Sequence, residues 1–83
     1  MTLDSPIDWS NIVPKKVSVR VNGHFTSVSL EQPFLDILKA VAQKKGQSLA
    51  LMITDIDNKK PQTISLSASL RLYALHSILT QQF

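Results

Sequence analysis

The chain has 83 residues, of which 43% are hydrophobic, and this is enough for one small domain with little core to spare. It has no cysteine, which excludes disulfides and cysteine-based metal sites, and its two histidines, His24 and His76, are too few for a zinc site without carboxylate help. The net charge of +3 suits an anionic partner but decides nothing alone. No segment resembles a signal peptide or a membrane span, so we expect a cytoplasmic protein that does not contact a membrane.

Residues 1–14 are expected to form an N-terminal tail, and residues 15–83 the folded domain. The tail holds Pro6 and Pro14 and shows no sustained periodicity. Trp9 leaves two alternatives open, because an exposed tail rarely carries a tryptophan without a surface for it to contact. The tail is either a disordered arm or an arm that docks on the same or the neighbouring subunit.

Residues 16–30 are predicted to form a β-hairpin. Valines alternate with polar residues from Val17 to Val21, as in a strand with one buried face. Asn22-Gly23 follows. This dipeptide between two alternating runs is the strongest short hairpin signal, because a type I′ turn needs positive φ at both central residues.

The two-residue loop fixes the register of this hairpin. It places Val21 opposite His24 and Val17 opposite Val28, so the valines share one face, and a slip of one residue would expose them. On that face His24 is expected to be a buried, hydrogen-bonded histidine or a turn residue rather than a ligand. The opposite, mainly polar face consists of Lys16, Ser18, Arg20, Phe25, Ser27 and Ser29.

Three helices are predicted after the hairpin. Pro33 suits a first helical turn, Gly46 ends the first helix, and Ser48 is an N-cap for the second. The third helix is apolar over more than half its circumference, so it is either central to the core or packed between subunits. The expected helices span about residues 32–45, 48–58 and 66–82. Strand, helix, glycine turn and helix offer little apolar surface for a monomer, which implies a second copy of the chain.

A resemblance to a known family rests on several short segments in this order. They are Gly23-His24, Thr26-Ser27-Val28-Ser29-Leu30-Glu31, Leu38 and Ala42, Gly46-Gln47-Ser48-Leu49, Ile56-Asp57, and Leu66-Ser67-Ala68-Ser69-Leu70-Arg71. Together they span about residues 15–75. They resemble the ribbon-helix-helix (Arc/MetJ-like) superfamily of DNA-binding proteins, and more narrowly a bacterial ribbon-helix-helix domain family with an extra C-terminal helix.

The resemblance implies an α+β homodimer that binds double-stranded DNA as a small transcriptional regulator. One strand from each subunit would pair into a ribbon that enters the major groove, with Phe25, Ser27 and Ser29 facing it. The resemblance also places the amides of Ser48 and Leu49 against a phosphate, where free N–H groups and the helix dipole favour an anion.

Lys16 and Arg20, on the flanking strand, could contact further phosphates. That strand widens the dimer's sheet to four strands, or roughly 14 Å, against a major groove about 12 Å wide. Phe25 is unusual on a polar face, and it could cover Trp9, stack on a base, or cover the sheet.

An alternative function is a dimeric protein-interaction module that keeps the scaffold without base readout, with an unknown protein partner. Its support is the extra strand and the serine-rich face, because serines discriminate poorly between bases. We expect neither an enzyme nor a cofactor. The sequence shows no nucleophile with an evident base, no glycine-rich phosphate loop and no metal-ligand cluster.

Overall fold

A computed structural model describes residues 9–81. It contains a short 3₁₀ turn and then two strands and three helices, which confirms the predicted α+β fold of a hairpin followed by three helices. The elements are the turn Trp9–Asn11, β1 (Lys15–Val21), β2 (His24–Leu30), α1 (Gln32–Lys44), α2 (Leu49–Lys59) and α3 (Leu66–Gln81). Most of the predicted tail and the last residue of the predicted third helix lie outside the described residues. The division into a tail and a domain stays a prediction.

The hairpin has the predicted register. Val21 pairs with His24, and Val17 with Val28. At the turn, Asn22 has φ of 53° and Gly23 has φ of 81°, as a type I′ turn requires. His24 flanks this turn with an exposed side chain, so of its two expected roles it has that of a turn residue.

Replacing Gly23 by Val should destabilise the protein by about 1–2 kcal/mol, because a β-branched residue is strained at positive φ. A Cβ at this position would meet no atom within 4 Å, so the cost is conformational rather than steric crowding by neighbours. Urea denaturation of the variant and the parent measures this loss in the free energy of unfolding. The control is Gly23→Asn, since asparagine tolerates this conformation and should retain most of the stability. Equal stability of the Val variant and the parent would contradict the type I′ turn.

The hydrophobic core closes within a single chain. The hairpin contributes its valine face and the end of β2, and each helix contributes one stripe. The largest fully buried side chains are Leu30, Leu38, Met52, Ile53 and Leu70. Burial of the valine face therefore does not itself require the predicted dimer.

The spacing of Phe34, Leu38, Val41 and Ala42 predicts the buried stripe of α1, and the structure differs from this prediction in detail. Leu35, which the prediction left out, is buried, whereas Phe34 is packed only partly against the core. Leu35 lies three residues before the fully buried Leu38, one turn away on the same face. The centre of the α1 stripe is thus rotated towards Leu35 from its predicted position.

The third helix is central to the core on one face and exposed on the other. Leu70 and Ala74 are completely buried. Ser77 is also buried, and its hydroxyl donates to the carbonyl oxygen of Tyr73 at 2.9 Å. The opposite face carries exposed leucines at positions 72, 75 and 79. Of the apolar surface predicted over more than half the circumference of α3, the single chain therefore buries one side only.

Candidate nucleic-acid interface

One face of the hairpin carries five of the predicted site residues, and all five are exposed. This face, here called the polar face, points away from the core because side chains alternate along a strand. On it, Lys16 pairs with Ser29, and Arg20 with Phe25. Ser27 lies between these two pairs, opposite Ser18. Strand β1 thus supplies the two cations, and β2 supplies the phenylalanine and two serines.

Arg20 and Phe25 form a cation–π pair on the polar face. The guanidinium carbon lies 5.3 Å from the centre of the phenyl ring, which is 77% exposed. Such a contact contributes about 0.5–1 kcal/mol at an exposed site. The contact also holds the Arg20 side chain over the sheet. Sequence reasoning did not predict this role for Phe25, although the register already placed the two residues opposite each other.

The outer edge of β2 is unpaired within the described residues. In a two-residue hairpin the residues flanking the turn exchange hydrogen bonds, and bonded and non-bonded pairs then alternate. The backbone groups of Phe25, Ser27 and Ser29 therefore point away from β1. The contact of Arg71 Nη2 with the carbonyl oxygen of Ser29, at 3.3 Å, agrees with this geometry. The backbone groups of Phe25 and Ser27 remain available for another strand.

The second helix runs beside the outer edge of β1 and in the same direction. Thr54 Oγ1 lies 3.4 Å from the carbonyl oxygen of Arg20, and the Asn58 side chain accepts from the Asn22 side chain at 2.8 Å. The Thr54 hydroxyl donates to the carbonyl oxygen of Ala50 at the shorter distance of 2.9 Å. The contact with Arg20 therefore shows where α2 lies relative to β1, but it contributes little to stability. These contacts place the second half of α2 beside the end of β1 and the turn.

Ser48 and Leu49 lie at the start of α2 rather than on the polar face. The Ser48 hydroxyl accepts from the Leu51 amide at 3.1 Å, which confirms the predicted N-cap. The Leu49 side chain packs against the core, so only its amide could contact an anion.

A pair that sequence reasoning missed fixes the end of β2. Arg71 donates to both carboxylate oxygens of Glu31, from Nε at 2.9 Å and from Nη2 at 3.2 Å. The hydrogen bond from Arg71, with a second from the Glu31 amide, lowers the pKa of the Glu31 carboxyl below its ordinary value. Because the same guanidinium contacts the Ser29 carbonyl, α3 holds the last part of β2 in place. The partners are 40 residues apart, and no local pattern announces such a pair.

Glu31→Gln should reduce stability at neutral pH and matter progressively less in acid. Since the folded-state pKa of Glu31 is lowered, its carboxylate stabilises the fold above the ordinary pKa of 4.5. That contribution is lost as pH falls through the folded-state pKa. Urea midpoints of parent and variant should therefore differ at about pH 7 and approach each other as the pH is lowered through the folded-state pKa. In an Arg71→Ala background, Glu31→Gln should no longer change how stability depends on pH. If the substitution still changes this dependence, the pH effect does not come from the Glu31–Arg71 pair.

Within residues 9–81, no three histidine, cysteine or acidic side chains are placed to hold a metal ion. None of the helices in that range is long and apolar enough to cross a membrane.

A family model described as a ribbon-helix-helix domain matches residues 14–78. The match includes both strands, α1, α2 and most of α3. No significant match was found among curated proteins or among solved structures.

Proposed function

Because this chain belongs to the ribbon-helix-helix domain family, we propose that it binds double-stranded DNA as a small homodimeric transcriptional regulator. The observation that carries the proposal is the polar face, where Lys16 and Arg20 on β1 lie beside small polar side chains on β2. The proposal places the protein in a bacterial cytoplasm, where it meets its DNA.

The dimer would form through the free edge of β2. Three consecutive outward-facing residues, Phe25, Ser27 and Ser29, can all be paired if a second copy lies antiparallel with Ser27 on the two-fold axis. Ser27 then pairs with the partner's Ser27, and Phe25 with the partner's Ser29. The carbonyl oxygen of Ser29 can accept from both Arg71 and the partner, because it has two lone pairs.

This pairing gives a four-stranded sheet with its cations on the two outer strands. Strands about 4.8 Å apart put each outer strand roughly 7 Å from the axis. Lys16 and Arg20 of the two copies then form two rows roughly 14 Å apart, while the major groove is about 12 Å wide. Rows at this spacing suit the phosphates on both sides of the groove, and the inner strands suit its centre. The extra strand thus supports phosphate contact at the groove edges.

The start of α2 would contribute a further phosphate contact. The first N–H groups of a helix have no partner within the helix, and Ser48 caps only that of Leu51. The amides of Leu49 and Ala50 are left to donate to a phosphate, which the helix dipole also favours. Because α2 runs in the same direction as β1, its start would lie towards the Lys16 end of that strand and extend the phosphate-binding surface along the groove edge.

Binding would be driven mainly by the DNA backbone, with weak sequence preference. Ser27 and Ser29 can each form single hydrogen bonds to base edges, whereas strong discrimination comes from bidentate side chains. Phe25 adds an apolar contact and supports Arg20. A regulator of this kind needs phosphate contacts for affinity and gains only modest specificity from the groove.

A salt titration of binding to duplex DNA tests the proposal. Affinity should fall steeply as salt rises, because each neutralised phosphate releases counterions. Selection of bound fragments from random duplexes would then show the modest sequence preference expected. The alternative, a dimeric protein-interaction module, predicts no saturable DNA binding at low salt and a partner interaction that hardly responds to salt.

A further inference from the structure

A groove lies between α2 and α3, and it is lined by none of the residues assigned to DNA. Its volume is about 450 Å³, which is within the range of small-molecule sites. The apolar part of its lining comes from α2, the loop after it, and α3. It consists of Met52, Ile56, Pro61, Ile64, Leu72 and Tyr73. Met52 is fully buried, so the groove reaches the core.

The rim of this groove is positively charged. It carries Lys45, Lys59 and Lys60 against a single acidic residue, Asp55. Lys59 pairs with Asp55 at 3.3 Å, which neutralises one cation at that end. An apolar floor with a net positive rim is complementary to a molecule that has an apolar body and one negative group.

The Lys45 end offers the better anion-binding geometry. Lys45 Nζ donates to the Tyr73 hydroxyl oxygen at 2.6 Å and lies 5.4 Å from the ring centre. Its partner is therefore a neutral hydroxyl, and its charge is not cancelled by a salt bridge. Because the Tyr73 oxygen already accepts from Lys45, its own hydroxyl hydrogen is left to donate. A carboxylate here could accept from both groups.

We propose that the groove binds an amphipathic organic acid, with its apolar body on Met52 and Ile56 and its carboxylate at Lys45 and Tyr73. A second copy of the chain does not suit this site, because a two-fold contact through it would bring two lysine rims together. The positive rim favours an occupant that carries negative charge. This site is independent of the proposed DNA interface.

The test compares two small probes that share one apolar body, naphthaleneacetate and the uncharged naphthalene-ethanol. Binding is followed by the NMR shifts of the Met52 and Ile56 methyl groups, which a bound ring would move. We expect saturable shifts with naphthaleneacetate and about tenfold weaker binding of the alcohol, since a charge-assisted hydrogen bond is lost. Equal binding of both probes, or shifts that do not concentrate at the groove, would overturn the proposal.

Variants separate the anion contact from folding. Lys45→Gln should weaken naphthaleneacetate binding several-fold, bringing it near the alcohol, and leave alcohol binding unchanged. Lys45→Arg should retain most of the affinity, and Tyr73→Phe should weaken only the acid. The matched control is Lys39→Gln, an exposed lysine of α1 that does not line the groove. If Lys45→Gln and Lys39→Gln behave alike while folded, the carboxylate is not held at Lys45.

Discussion

The double variant Lys16→Ala, Arg20→Ala should bind duplex DNA on the order of a thousandfold more weakly than the parent at about 0.15 M salt. Each substitution removes one cation per subunit, so a dimer loses four phosphate contacts. Each contact contributes about 0.9 to the slope of log K against log salt, so the slope should fall by roughly 3–4. Fluorescence anisotropy with labelled duplexes at several salt concentrations measures both quantities.

Two controls define what this loss means. Lys39→Ala removes an exposed lysine outside the hairpin and should leave the salt slope unchanged. Ser27→Ala should keep the slope and alter preference at one base position by roughly 1 kcal/mol or less, because a hydroxyl is a weak base reader. If the double variant is folded and dimeric yet binds DNA like the parent, the DNA site is not on the polar face and the protein-interaction alternative is favoured.

Local signals in the sequence were sufficient for the hairpin. Asn22-Gly23 sets both the turn and its position, and alternation then assigns every side chain from Lys16 to Ser29 to a face. Helix ends were also predicted to within one or two residues, because Gly46 and Ser48 end one helix and cap the next. The hairpin turn and the helix ends depend on residues that are adjacent in the sequence, so the local sequence is enough to predict them.

Contacts between distant segments could not be predicted in the same way. The pairing of Glu31 with Arg71 depends on how α3 crosses the end of β2, and neither residue's surroundings in the sequence specify that crossing. The groove depends likewise on how α3 lies against α2 and against the end of α1, which brings Lys45 to Tyr73. Periodicity finds the buried face of each helix but not the partner that an exposed side chain meets.

The sequence also did not predict that the core would be buried within one chain. Strand and helix stripes were judged too small for a monomer, but α3 supplies Leu70 and Ala74 as the missing cover. The sequence pattern of α3, which is apolar over more than half its circumference, did not indicate which face of the helix is buried. The case for a dimer therefore moves from the core to the free edge of β2.

Ser27→Pro should weaken dimerisation by at least about a hundredfold without unfolding the hairpin. In the proposed ribbon, Ser27 and the partner's Ser27 exchange two hydrogen bonds on the two-fold axis. Proline removes both donors and puts a ring where the strands approach each other. The hydrogen bonds between β1 and β2 should survive, since the Ser27 amide points away from β1. Sedimentation equilibrium should show a monomer where the parent is a dimer, with circular dichroism unchanged.

The matched control for this variant is Ser18→Pro, because Ser18 is the residue paired with Ser27 on β1. Its amide also points away from the hairpin, but towards the outer edge that the proposed ribbon does not use. Ser18→Pro should therefore remain a dimer, and its thermal midpoint should rise with protein concentration as mass action requires. If both proline variants dissociate equally, strain in the hairpin is responsible. If neither variant dissociates, the subunits do not pair through β2, and the exposed leucine face of α3 becomes the surface to test. If the parent itself is a folded monomer, the proposed homodimer is wrong.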